Sequence, residues 1–344
     1  MNDLLTYSGI TTKVRAMEAN FISKYDYERI AGLESIAEFI AFLKNHPGYS
    51  GIFKGLDEYE MHRGQAEGLL INGLYLDFSK IYQFAHIDQR ETLNLIFFRY
   101  EVNVLKACIQ LIYNEEDTYD LSLFSTFFSS HSKVNVKALA ASHSMEEYIN
   151  NLKGTGYYHM FNGLQIMNPI TSFDYEMQLD IYYFKKMWKL KEKQLKGDNL
   201  KSMTHSLGTE IDLLNIMWLY RSKKFYDIRS TDSYAYIIPL NYKLTKPELV
   251  KLMETATIDE FIVVLLTTYY GNISQSLING SMEFTCLKII SKIYKNDKSN
   301  YPSSMAPINN YLFQKQNEVR RLTTALECIR YKLSPQDTLS YVLQ

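Results

Sequence analysis

The 344-residue sequence has little of what most reactive or membrane-spanning proteins need. Its three cysteines, Cys108, Cys286 and Cys328, are far apart and odd in number, which excludes a disulfide framework and a CxxC metal site. The 15 glycines form no phosphate-cradling loop and no GxxxxGK[ST] occurs, which excludes a P-loop nucleotide site. HExxH and HxH are absent, and His46, His62, His86, His131, His143, His159 and His205 stand singly, as core or surface histidines do. No GxSxG elbow and no cysteine with a nearby histidine points to nucleophilic catalysis. The longest apolar run, "FIVVLL" at Phe261–Leu266, is far too short to cross a bilayer. The first residues lack a basic segment followed by an apolar one, so no signal peptide is expected. Excess charge of one sign is missing as well: the formal net charge is −1, and no global field draws the chain to nucleic acid. These absences predict a reduced, cytoplasmic protein with no catalytic, cofactor-binding or metal-binding residue and no small-molecule ligand.

What is present is a repeat. "SIAEFIAFLKNHPGY" (Ser35–Tyr49) returns as "SMEEYINNLKGTGYY" from Ser144 and as "TIDEFIVVLLTTYYG" from Thr257. Each copy opens with a hydroxyl residue and a glutamate three positions on: Ser35/Glu38, Ser144/Glu147 and Thr257/Glu260. That spacing predicts a capping box, in which the hydroxyl accepts from a backbone N–H and the glutamate reaches back to the cap residue's own N–H. Apolar residues follow at offsets +1, +4, +5 and +8, one stripe on a helix of 3.6 residues per turn. They are Ile36, Phe39, Ile40 and Leu43, then Met145, Tyr148, Ile149 and Leu152, then Ile258, Phe261, Ile262 and Leu265.

A second element follows each copy at near-constant spacing, at Glu101, Glu210 and Glu318, with apolar residues at +1, +4, +7 and +8 each time. Between the two lies a third echo, an acid after Leu or Met ahead of an aromatic-rich helix: Asp77, Asp180 and Glu283. The wide separation of the copy starts, Ser35, Ser144 and Thr257, makes the unit a small helical domain rather than a solenoid repeat. The expected organisation is an N-terminal helix over 1–22 and helical modules over 23–130, 131–240 and 241–344. The boundary into the second module is placed in the polar stretch "FFSSHSKVN" (Phe127–Asn135). "YAYIIPLNY" (Tyr234–Tyr242), broken by Pro239, is expected to be an extended linker into the third. Ser334 and Pro335, with Asp337 three after the serine, start a last helix.

The charges have structural explanations. Glu38, Glu147 and Glu260 are caps; Glu101, Glu210 and Glu318 are expected in the first turn of a helix, where a carboxylate favours the macrodipole. Charge is unevenly spread: residues 1–130 carry a net of −7, while 131–240 and 241–344 carry +3 each. A basic stretch, "KKMWKLKEKQLKGDNLK" (Lys185–Lys201), fits the exposed end of a long helix better than a membrane or nucleic-acid patch, because its apolar face fades after Leu195.

Three segments carry a resemblance: "KVRAMEANFI" (Lys13–Ile22), "DLLNIMWLYRSKKFY" (Asp212–Tyr226) and "QNEVRRLTTALECIRYKLSPQDTLSYVL" (Gln316–Leu343). With the length and the threefold repeat, the chain resembles the C subunit of bacterial and archaeal V/A-type rotary ATPases (ATP synthases), whose vacuolar counterpart is the d subunit. It departs at "YSGITTK", where the family often has a Tyr-rich lead into Asn-Ala-Arg. The resemblance implies an all-α protein of three similar helical domains around a pseudo-threefold axis, forming a funnel-shaped socket. It also implies a non-catalytic central-stalk protein on the cytoplasmic face of the membrane, partnered by the D and F shaft subunits and by the proteolipid rotor ring. The repeat taken alone fits a cytoplasmic helical scaffold equally well. An all-helical enzyme with a cavity between modules is a third reading, disfavoured by the lack of a convergent acid cluster.

Overall fold

A computed structural model describes residues 3–114, 122–165, 171–225, 234–280 and 282–343. Among the described residues the regular structure is all helix, without a strand. In chain order the helices are α1 (Asp3–Glu18), α2 (Lys24–Ala31), α3 (Ile36–Asn45), the one-turn α4 (Ser50–Phe53), α5 (Arg63–Phe84) and α6 (Ile87–Asn114). Next come α7 (Ser122–His131), α8 (Val136–Ala140), α9 (Met145–Asn151), α10 (Gly156–Gln165), α11 (Ser172–Gln194) and α12 (Gly197–Phe225). The last are α13 (Lys246–Glu254), α14 (Ile258–Leu266), α15 (Ser274–Ile278), α16 (Met282–Asn300), α17 (Ala306–Arg330) and α18 (Pro335–Val342).

The repeated helix forms each time as α3, α9 and α14. Ser35, Ser144 and Thr257 are the caps, and each side chain accepts from the backbone N–H of the glutamate three residues on, at 3.2 Å in all three. The reciprocal half differs from the expected box. Glu38, Glu147 and Glu260 accept instead from the residue before the cap, Glu34, His143 and Ala256, at 2.8, 2.9 and 2.8 Å. The glutamate therefore secures the chain one residue outside the helix, satisfying a donor that no helical carbonyl can reach. The stripes bury at +4 and +8 in every copy and at +5 in the first two: Phe39, Ile40, Leu43, Tyr148, Ile149, Leu152, Phe261 and Leu265 are at most 2% exposed, while Ile36, Met145 and Ile258 at +1 are half-buried. Each of the fully buried residues contributes about 1.5–3 kcal/mol by leaving water. Ile262, at +5 of the third copy, is only half-buried.

The described chain separates into two compact units. The first consists of Met1–Leu93, Gln110–Thr155 and Pro307–Gln344. In it α1 and α7 pack on α5, α3 on α4, and α18 on α2. The α5–α7 seam is aromatic. Tyr75 stacks on Phe127 with centroids 5.2 Å apart, and Tyr82 meets the His131 ring edge-on at 4.8 Å. This explains a departure from expectation: "FFSSHSKVN" is helical as far as His131. Phe127 and His131, one turn apart, both pack on Phe78 of α5, and that packing outweighs the turn tendency of the serines. Helix α18 starts as expected: Ser334 Oγ accepts from the Asp337 N–H at 3.2 Å, and Pro335 stands in the first turn.

The second unit consists of Asn94–Ile109 and Gly156–Ala306. Here α12 is the central element, packing on α16, α11 and α14. Leu213, Ile216, Leu219 and Tyr220 of α12 form a core with Leu249, Leu252 and Met253 of α13, Phe261 and Leu265 of α14, and Leu277 of α15. The expected linker begins as a short helical turn, Tyr234–Tyr236, and is anchored rather than loose. Asn215, fully buried, accepts from the Ile238 N–H at 2.9 Å and donates to the Ile238 carbonyl at 3.0 Å. Asp212, one turn earlier and also fully buried, accepts from the N–H groups of Tyr242, Lys243 and Leu244 at 3.2, 2.7 and 2.9 Å. Gly208, a turn before that, leaves room for the Tyr242 ring; a Cβ there would lie under 3.0 Å from it.

Candidate functional site

The repeated acids do not sit where a macrodipole would use them. Glu101, Glu210 and Glu318 lie more than three turns inside α6, α12 and α17, because each long helix starts well before the recognisable part of the repeat. In mid-helix a carboxylate gains nothing from the dipole, so the acids act sideways. Glu318, 5% exposed, accepts from Tyr49 Oη at 2.7 Å, from the Ile22 N–H at 2.6 Å and from Lys315 Nζ at 2.9 Å. Glu101 accepts from Tyr157 Oη at 2.5 Å. Glu210 is paired with both terminal nitrogens of Arg99, whose Nε donates to Tyr183 Oη at 3.0 Å. Two residues past Glu210, Asp212 accepts from Tyr270 Oη at 3.0 Å.

The tyrosines reveal a rule. Tyr49, Tyr157 and Tyr270 each follow the repeated helix of their own copy, and each donates to the long helix of the preceding copy, the first copy closing on the third. Beside each stands a glycine, Gly48, Gly156 or Gly271, where a Cβ would come under 3.0 Å from the Asn20 carbonyl, the Tyr182 hydroxyl or the Leu266 carbonyl. The third echo obeys the same order. Asp77 accepts from Tyr311 Oη at 2.7 Å and lies 3.9 Å from Lys315 Nζ, both on α17. Asp180 binds Lys106 of α6 at 2.5 Å, and Glu283 pairs with Arg221 of α12. Every copy thus fastens its first half to its predecessor's long helix through a tyrosine and a charge pair.

Burial sets the protonation tendencies. It pushes the Tyr49 hydroxyl well above its ordinary value, and the Glu318 charge beside it adds to the effect. Burial opposes the charge on Arg99, yet Glu210 outweighs it and holds the guanidinium firmly protonated. Burial raises Asp180 against the pull of Lys106, Asp212 against its backbone donors, and Asp297 against His205. The Cys108 and Cys286 thiols are each pushed up to about 12 by burial, so neither is a thiolate at neutral pH.

The histidines remain dispersed. His46 lies 3.8 Å from Asp26, and His205 Nδ1 lies 3.0 Å from Oδ1 of Asp297, a fastening between α12 and α16. Among the described residues no group of three or more His, Cys, Asp or Glu side chains converges as metal ligands. A shallow groove of about 450 Å³ runs between α1 and α5, lined by Ser8, Gly9, Thr12, Lys13, Ala16 and Phe84. In the basic stretch, Lys185, Lys189, Lys193 and Lys196 are exposed as expected. Lys191 instead is 2% exposed, its Nζ 3.8 Å above the Trp188 ring and 3.5 Å from Glu192. Sequence reasoning missed Arg99, Asp212, Asn215 and Lys315; for Asp212 and Asn215 the available signal was two polar residues one turn apart on an otherwise apolar helix face.

The family described as ATP synthase (C/AC39) subunit matches residues 10–341. The C subunit of an A-type ATP synthase from Methanosarcina acetivorans is 26% identical, over 92% of this chain and 87% of that protein. The protein of that name from Thermococcus kodakarensis is 23% identical over 98% of this chain and 90% of its own length. That from Methanobrevibacter smithii is 23% identical over 93% and 83%. No described helix is long and apolar enough to cross a membrane. The match across almost the whole chain bears out the resemblance read from the sequence: the chain belongs to the ATP synthase (C/AC39) subunit family, as a C subunit of the V/A type.

Proposed function

We propose that the chain is a non-catalytic central-stalk component of a V/A-type ATPase, coupling the rotating shaft of the D and F subunits to the proteolipid ring on the cytoplasmic face of the membrane. Its relatives are named as subunits of an ATP synthase, and the repeated copies supply a mechanical reason for such a role. In this reading the modules 23–130, 131–240 and 241–344 surround a pseudo-threefold axis and form a socket for the shaft's foot. The observation that carries the reading is the cyclic order of the fastenings, Tyr49 to Glu318, Tyr157 to Glu101 and Tyr270 to Asp212. An adapter that transmits torque must not shear between its parts. Buried tyrosine–carboxylate bonds between successive copies, set in close-packed helices, resist that shear.

The mechanism asks no chemistry of the chain. Glu318, Glu210 and Asp212 direct their oxygens to structural donors, and the acid of each third echo is engaged by a cation or a tyrosine. The test is a reconstituted ATPase lacking this chain. The soluble head is expected to hydrolyse ATP at near-normal rate while ion transport stops; transport that survives the deletion overturns the proposal.

A further inference from the structure

Copies two and three share a feature that the first lacks. Counted from the third-echo acid Asp180, the α11 lysines Lys185, Lys189 and Lys193 stand at offsets +5, +9 and +13, and Lys196 follows just past the end of that helix at +16. Counted from Glu283, the α16 lysines Lys288, Lys292 and Lys295 stand at offsets +5, +9 and +12. All seven are exposed. Spacings of three and four keep Lys185, Lys189 and Lys193 on one face of α11 and Lys288, Lys292 and Lys295 on one face of α16, ridges of about 12 Å and about 10 Å at 1.5 Å per residue. At offsets +5, +9 and +13 from Asp77 the first copy has Tyr82, His86 and Arg90 instead. Among the described residues none of the seven lysines has a carboxylate within ion-pair distance, in contrast to Lys191 beside Glu192 and Lys201 beside Asp198.

Unneutralised charge repeated in register on two helices is costly to the free protein and calls for an anionic partner. The ridges are poor at the other anionic surfaces. Tyr175, Met177, Leu179, Tyr183, Phe184 and Met187 of α11 are buried in the second unit, leaving that helix no apolar face to sink into a bilayer. The aromatic residue within its ridge, Trp188, is half-buried under Lys191 and is not available to stack a base. A second helix bearing carboxylates at intervals of three and four residues matches the spacing of both ridges.

We propose that the outward faces of α11 and α16 are docking ridges for an acidic helical surface of a partner protein. This rests on the reading of the chain as a rotary-ATPase adapter and assigns the ridges to its shaft contact. They leave the first copy out, so the partner is gripped asymmetrically by a threefold-repeated protein.

The experiment uses the full chain, a variant with Lys185→Glu, Lys189→Glu, Lys193→Glu and Lys196→Glu, a second with Lys288→Glu, Lys292→Glu and Lys295→Glu, and the matching Lys→Arg variants. Unchanged circular dichroism and Tm establish that the variants fold, since all seven side chains point outward. Binding to the purified D–F shaft pair is measured at about 50 mM and about 300 mM NaCl, on either side of physiological screening. Each Glu variant is expected to bind at least about tenfold more weakly at low salt, with a flatter salt dependence, while the Arg variants bind as wild type. Wild-type affinity in both Glu variants overturns the ridges but leaves the adapter reading standing. Failure of the wild-type chain to bind the shaft pair overturns both. Recruitment to vesicles with about 30 mol% anionic lipid that is lost in the variants, with shaft binding intact, reassigns the ridges to the membrane and overturns the protein partner.

Discussion

The repeated helices and the long helices differ in how they hold the molecule together. Helices α3, α9 and α14 solve one problem in one way: the same cap, the same glutamate reaching to the residue before it, the same stripe ending in a fully buried leucine. Helices α6, α12 and α17 solve one problem in three ways. Glu318 gathers a lysine, a tyrosine and a backbone N–H, Glu210 takes an arginine, and Glu101 takes a tyrosine. A contact between residues three apart constrains its own few residues and survives duplication unchanged. A contact between copies changes whenever either side changes, so each junction settles on its own partners.

The largest expected effect lies where the long helices differ most. Glu318→Ala leaves Lys315 buried beside Asp77 at 3.9 Å and frees the Ile22 N–H, and should destabilise by about 3–5 kcal/mol. Glu101→Ala, whose acid is only half-buried, should cost no more than about 1.5 kcal/mol. Urea unfolding of the two variants measures the gap, and equal costs would remove the distinction between the junctions.

The repeated helices should behave alike. Leu43→Ala, Leu152→Ala and Leu265→Ala, all at fully buried positions, should each cost about 2–5 kcal/mol. Cap removal by Ser35→Ala, Ser144→Ala and Thr257→Ala should cost about 1 kcal/mol each, the replaced hydroxyl leaving one backbone donor to water. Thermal melts on the six variants test both sets; a spread between copies wider than the spread between sites would show that the copies have diverged in kind.

The smallest effect is a slope with pH. Burial raises the Asp297 pKa above its ordinary value of 3.8, so the folded chain takes up a proton more readily than the unfolded one. The stability this gives is fully present below the unfolded pKa and is lost as pH rises through the folded one. Asp297→Asn carries no such proton, so its stability relative to wild type should fall as pH is lowered from 7 to about 4. Urea midpoints across that range read it, and a difference that holds constant or rises toward acid would contradict the shift.

How legible the molecule was follows from the same contrast. The caps, the stripes, the last helix at Ser334 and the all-helical class were readable because each is fixed by residues within one or two turns. Helix starts at Ile87, Gly197 and Ala306 were not, since the apolar pattern there fades into polar residues that packing nevertheless keeps helical. The partners of Glu318, Glu210 and Asp212 were not legible at all. Tyr49 and Glu318 are 269 residues apart, and nothing in either stretch names the other. Only the order of the copies hinted that such fastenings existed.

That order is the central claim, and a double-mutant cycle on Tyr49→Phe and Glu318→Gln tests it most directly. Buried and bonded at 2.7 Å, the pair should show a coupling of about 1–3 kcal/mol in urea unfolding. Tyr49→Phe with Glu101→Gln, which joins the first copy to its own long helix, should be additive to within about 0.5 kcal/mol. Additivity in the Tyr49–Glu318 cycle, or coupling to Glu101 in its place, would contradict the account.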